Sequence, residues 1–262
     1  MRSLRIHYFA LSFLLLPLLV LSAYAGTISL GTAGSYAVLA GSTVTNTGPS
    51  VITGNLGVWD GTAVTGFPPG IVTKGTIHAG DTDAENAQSD LTTAYNAAAG
   101  MSPTSTLTGK DLGGMTLTPG IYFFKTSAGL TGELTLDDLG NSNALFVFQI
   151  GSTLTTASSS SVVFKSGETD NDVYWQVGSS ATLGTGTTFQ GNILALTSIT
   201  LDTGASIVCG SALARNGAVT LDDNTITSCG SSETTVPEPG TLGLMGSGLA
   251  ILAGIARRRM RI

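Results

Sequence analysis

Charge is scarce in this 262-residue chain: Asp, Glu, Lys and Arg together make up 11% of it. Basic residues are scarcest in the body. Of the 11 Lys and Arg, Arg2, Arg5, Arg257, Arg258, Arg259 and Arg261 lie near the two ends, whereas of the 17 acids only Glu238 does. Five bases then face sixteen acids between Gly26 and Val236, a net charge of −11 for the body. Nucleic acid and anionic membrane both require basic patches, so neither is a partner of this surface. Histidine is limited to His7 and His78 and cysteine to Cys209 and Cys229, too few ligands for a structural metal site, and no cofactor is expected. Aromatics are 6%, yet hydrophobic residues reach 42% and recur in register, which a disordered linker does not do. What fills the chain is Gly, Thr, Ser and Ala, a composition suited to a thin-walled β architecture.

Both ends read as processing signals. Arg2 and Arg5 precede an apolar run from Tyr8 to Leu21, and Ala23-Tyr24-Ala25 supplies a small-Xaa-small cleavage pattern. Residues 1–25 are therefore expected to be a signal peptide, because the run is short for a lasting membrane anchor. At the other end Val236-Pro237-Glu238-Pro239 is followed by the apolar stretch Gly240 to Ala256 and then by arginines. This three-part pattern resembles the PEP-CTERM sorting signal of Gram-negative bacteria. The resemblance implies that 236–262 associates transiently with the inner membrane and that exosortase-type machinery delivers the protein outside the cell, either secreted or held at the cell surface or extracellular matrix. The arginines behind the run favour the cytoplasmic side. One domain, 26–235, remains.

That domain is repetitive. Thr-Leu recurs at Thr116, Thr135, Thr153, Thr182, Thr200 and Thr220, at intervals of 19, 18, 29, 18 and 20 residues. Such spacing matches one three-sided coil of a β-solenoid, the long interval holding a loop at Lys165 to Asp172. Leu183, Phe189 and Leu201 are expected as interior spacers between coils. From Asp81 to Ala99 the pattern changes to helix: Ala84, Ala87, Leu91, Ala94, Tyr95 and Ala98 share one stripe, Thr82 and Glu85 form a capping box, and Gly100 supplies a left-handed end. Its small-residue face suits packing along one flat side of the solenoid. Cys209 and Cys229, twenty residues apart, should stack on adjacent coils as a disulfide.

A second phrase, Thr then Gly or Ala then any residue then Thr or Ser, appears five times: Thr47 to Ser50, Thr62 to Thr65, Thr156 to Ser159, Thr185 to Thr188 and Thr203 to Ser206. Positions one and four of a regular strand face opposite sides, so one of them must sit at a corner. The stretches Leu39 to Gly48, Trp175 to Gly184, Asn192 to Ala195 and Leu213 to Leu221 resemble the bacterial and fungal ice-binding family once catalogued as a domain of unknown function. The resemblance implies an all-β fold: a right-handed discontinuous β-solenoid of triangular section, with one long α-helix along one side. It also implies a non-enzymatic protein that meets the surface of an ice crystal through a Thr-Ala/Gly-Xaa-Thr/Asn face. On that pattern the candidates are Thr47, Ser50, Thr62, Thr65, Thr156, Ser159, Thr185, Thr187, Thr188, Thr203 and Ser206.

Two other readings compete. Asp137, Asp138, Asp202, Asp222 and Asp223 follow the Thr-Leu marker and could stack as the acid and base of a glycoside hydrolase, but the sequence offers them no cationic or histidine partner nearby, and turn residues at hydrated coil corners are the favoured reading. A surface adhesin or carbohydrate binder would use exposed aromatics, for which Trp59 and Trp175 are the candidates.

Overall fold

The computed structural model describes residues 28–167 and 172–229. The signal peptide expected over 1–25, the sorting segment expected over 236–262 and the middle of the Lys165 to Asp172 loop lie outside these residues. The described residues form 24 short strands. All pair in parallel, in three sheets of nine, seven and eight strands, here called A, B and C. A single coil shows the winding. Asn192–Ala195 lies in sheet A, Ile199–Leu201 in B, Ser206–Cys209 in C, and Ala212–Ala214 returns to A beside the first.

The expected period is therefore one coil, since Thr182 pairs with Thr200 and Thr200 with Thr220. The Thr-Leu marker nevertheless spans two faces. Thr116 pairs with Thr135 in sheet C, whereas Thr182, Thr200 and Thr220 lie in sheet B. Thr153 is out of register, because Thr155 is the residue that pairs with Thr182. Both faces place an outward threonine before an inward leucine, so the dipeptide alone does not distinguish them.

The stack is discontinuous in sequence. The first coils, beginning at Tyr36–Ala40, sit on the last coil through Val38 on Ala212, Val44 on Val219 and Val51 on Thr225. The helix then carries the chain along sheet A toward the opposite end, where Ser105–Thr106 forms the edge strand. At Thr82–Gly100 it has 19 residues, about 28 Å, enough to cross about six strands at ~4.8 Å each. Its cap differs from expectation: the Asp81 carboxylate, not a Thr82–Glu85 box, accepts from the Ala84 N–H, because Asp81 is the last extended residue. Gly100 is the last helical residue and keeps a negative φ, and Met101 leaves extended toward sheet A. The stripe is buried as expected. Its alanines let the helix approach closely. Gln88 Nε2 donates to the Ala214 carbonyl (3.0 Å), Tyr95 hydroxyl to Val177 (3.4 Å), and Gln149 Nε2 to Ala98 (2.7 Å) and Met101 (2.8 Å).

Inside the prism, rings stack from coil to coil. Phe148 and Trp175 are parallel at 3.8 Å, with Tyr122 5.4 Å from Phe148 and Phe189 4.9 Å from Trp175. The Trp175 indole N–H donates to the Gln190 carbonyl, which resolves its one polar atom. Leu183, Phe189 and Leu201 are buried in the same core as expected. Cys209, at the end of a sheet C strand, and Cys229, two residues beyond the neighbouring strand Thr225–Thr227, form the disulfide, with Cα atoms 5.0 Å apart.

Candidate functional site

Sheet A is covered by the helix, leaving B and C open. Sheet B runs Ala128–Leu130, Leu154–Thr156, Ala181–Leu183, Ile199–Leu201, Val219–Asp222, Thr43–Thr47 and Ala63–Thr65. Alternation points one residue of each strand outward. In register these are Gly129, Thr155, Thr182, Thr200, Thr220, Thr45 and Thr65. Six threonines thus stand on six consecutive parallel strands, an unbroken row of about 24 Å at ~4.8 Å per step. The row crosses the junction between the last coil and the first: Thr45 Oγ1 lies 3.4 Å from Thr220 Oγ1. Two positions earlier stand Thr153, Ser180, Ser198 and Ala218, each just before its strand, and Thr43 at the start of its own, a second half-exposed row. Neither row contains a charged residue.

The tetrads occupy a different place. Four of them lie at the corner where sheet B turns into sheet C. Gly186, Gly204, Gly48, Asp223 and Ser159 hold left-handed φ between +53° and +75° there. Backbone bonds stack these corners, from the Ser159, Gly186, Gly204 and Asp223 N–H groups to the carbonyls of Thr185, Thr203, Asp222 and Thr47. The recurring Thr-Gly pair is thus the chemistry of a repeated turn. Thr47, Thr185, Thr203 and Ser159 are exposed on this corner, while Thr188 and Ser206 belong to strands of sheet C. Thr65 is in the sheet B row, and Thr62 stands just before its strand.

Ser50, Thr156 and Thr187 are buried, which the sequence pattern did not anticipate. Ser50 stands five residues after Thr45, the same inward place that Thr187 holds after Thr182 and Ala205 after Thr200, and it accepts from the Asn224 N–H (2.8 Å). Thr156 and Thr187 face each other at 2.8 Å, and Thr156 Oγ1 accepts from the Gly184 N–H (2.9 Å). Their hydroxyls satisfy turn backbone and touch no outer surface. Conversely, Thr45, Thr155, Thr182, Thr200 and Thr220 were absent from the candidates, although three of them had marked the repeat.

One acid interrupts the margin. The Asp222 carboxylate accepts from the Thr203 hydroxyl and from Thr47 Oγ1 (2.9 Å), and these two bonds, Thr203 foremost, hold its pKa below the usual carboxylate value. The five marker-following acids do not form one column. Asp137 pairs with Lys165 Nζ (2.6 Å) and Asp138 accepts from Gly140 N (3.0 Å) beyond sheet C, whereas Asp202, Asp222 and Asp223 lie at the B–C corner. Trp175 is fully buried and unavailable as a surface aromatic.

Comparison with known proteins agrees with this architecture. A family model described as Ice-binding-like matches residues 38–227, and one for the PEP-CTERM protein-sorting motif matches 235–261. An "Ice-binding protein" of Nostoc sp. (strain HG1) is 60% identical over 245 residues, 91% of this chain and 90% of that protein. Among solved structures, an ice binding protein from an Antarctic biological consortium superposes with a TM-score of 0.73 at 50% identity, covering 77% of this chain and 90% of the other. One from the Antarctic ascomycete Antarctomyces psychrotrophicus gives 0.74 at 42% identity, covering 78% and 99%. With the family model spanning most of the chain and a relative this similar along nearly its whole length, the chain belongs to the ice-binding-like family.

Proposed function

We propose that this protein is exported and adsorbs to ice through sheet B, inhibiting ice growth or recrystallisation without catalysing a reaction. The observation that carries the reading is the uncharged row Thr155, Thr182, Thr200, Thr220, Thr45 and Thr65, held rigid by the sheet beneath it. A crystal facet is ordered water, so its binder needs a flat array that holds water in a similar order. Threonine methyls leave neighbouring water bonded to itself. The hydroxyls anchor that water, and β-branching means little rotamer freedom is lost on contact. The exposed corner residues Thr47, Thr185, Thr203 and Ser159, with Thr62, extend this surface at its margins, whereas Thr188 and Ser206 face along sheet C.

The sorting motif supports delivery by exosortase-type machinery in a Gram-negative bacterium, with a signal peptide over 1–25, a folded domain over 26–235 and brief inner-membrane association of 236–262. Thermal hysteresis and ice-recrystallisation assays on residues 26–235 test the activity. Measurable hysteresis is the expected outcome, and its complete absence from the folded protein overturns the reading.

A further inference from the structure

We propose that a cleft at the corner between sheets A and B binds a neutral saccharide of about two rings, a site separate from the threonine rows. The cleft has a volume of about 500 Å³ and is lined by Trp59, Asp60, Gln88, Thr92, Arg215 and Asn216, above the backbone of Gly41, Ser42 and Gly61. That volume falls within the range of small-molecule sites.

Three neighbouring coils build it. The Trp59 and Gly61 N–H groups donate to Ala40 and Gly41, and the Gly41 N–H donates to Gly217. Asp60 therefore stands two coil steps from Asn216, about 10 Å at ~4.8 Å per step. Arg215 is fixed before any ligand arrives. Its guanidinium lies over the Tyr95 ring at 4.7 Å and its Nε donates to Thr92 Oγ1 (3.3 Å), both on the helix. Among the described residues no carboxylate lies in salt-bridge range of Arg215, and Asp60 and the Asn216 side chain take no part in a hydrogen bond. One cation, one anion and one carboxamide thus border the same space without satisfying each other.

A saccharide fits that set. Hydroxyls at one end of a two-ring ligand donate to the Asp60 carboxylate, and those at the other accept from the Arg215 fork and the Asn216 amide. Its C–H face packs on the partly buried Trp59 indole. The carboxylate, together with a body of net charge −11, disfavours a polyanion. The preset guanidinium reduces the ordering that binding requires.

Trp59 also provides the readout, because the chain's only other tryptophan, Trp175, is fully buried. The test is a fluorescence titration of the purified full chain with cellobiose and with maltose, using glucose and glucuronate as controls. The expected result is a saturable change with at least one disaccharide, tighter than with glucose, lost in Trp59→Phe and weakened about tenfold in Asp60→Asn and Asn216→Ala. Both polar variants alter surface groups, and an unchanged melting temperature and thermal hysteresis will show that fold and ice face are intact. No saturable change with either disaccharide, equal affinity in both variants, or preferential binding of glucuronate would overturn the assignment. Because the site lies outside the threonine rows, its failure leaves the ice reading standing, and the reverse also holds.

Discussion

Gly41 sits where the first coil rests on the last, and replacing it tests whether that junction is the rigid contact described. A Cβ on Gly41 would lie 2.4 Å from the Arg215 carbonyl oxygen and 2.6 Å from the Asn216 carbonyl carbon, where ordinary contact begins at 3.4 Å. Both are backbone atoms, so no side chain can swing aside and the corner must open by about 1 Å, a fifth of the ~4.8 Å strand spacing. Overpacking of this kind costs roughly 1–3 kcal/mol. For a domain of this size that lowers Tm by about 2–12 °C. The same wedge lies one short strand from Thr45 and Thr220, whose hydroxyl oxygens are 3.4 Å apart across the junction, so hysteresis should fall along with stability. Gly100→Ala is the control: nothing lies within 4 Å of its added methyl, and helix propensity favours the change by up to ~1 kcal/mol. Scanning calorimetry and hysteresis on the two variants decide the matter. If Gly41→Ala melts and performs like Gly100→Ala, the junction is not the close contact described.

Three further outcomes follow from the same geometry. Cys209→Ala with Cys229→Ala removes a cross-link spanning 20 residues and should lower stability by about 3 kcal/mol in the chain-entropy account, read as a calorimetric shift, and an unchanged transition would contradict it. Trp175→Ala empties the centre of the ring column beside Phe148 and Phe189 and should cost roughly 3–5 kcal/mol, measured by chemical denaturation, with a loss under 1 kcal/mol refuting the stacking role. The Asp222 carboxyl has a folded pKa below its unfolded value because Thr203 and Thr47 donate to it. Its contribution is therefore complete above about pH 4 and fades as pH falls through the lower folded value. Carboxyl NMR should place its midpoint below the ordinary Asp range, and a midpoint at or above that range would remove the clamp.

Much of the scaffold was legible from residue spacing. Intervals of 18 to 20 residues equal one coil because each coil returns the chain to the same face, and the stripe from Ala84 to Ala98 is buried as its periodicity requires. The functional face was harder to read, for a physical reason. Thr-Gly pairs recur most visibly where a left-handed corner demands them, at Gly186 and Gly204, so pattern matching favours the turn over the flat strand beside it. Burial of Thr187 and Ser50 depends on corner geometry, since each stands five residues after the outward threonine of its strand, Thr182 and Thr45, where the chain turns inward. The pairing of Thr45 with Thr220 joins residues 175 apart, beyond any local period. The missed row still carried a signal: Thr182, Thr200 and Thr220 were the repeat itself, and a residue that recurs at coil length on a strand must form a ladder across the sheet.

The most direct measurement of the central claim compares one substitution on the two open faces. Thr200→Tyr raises a ring in the middle of the sheet B row, and Thr188→Tyr raises the same ring from an exposed position on sheet C. With both variants folded by circular dichroism, thermal hysteresis should fall to a small fraction of the parent value in Thr200→Tyr and stay close to it in Thr188→Tyr. Equal activity in Thr200→Tyr and the parent, or loss confined to Thr188→Tyr, would contradict adsorption through sheet B.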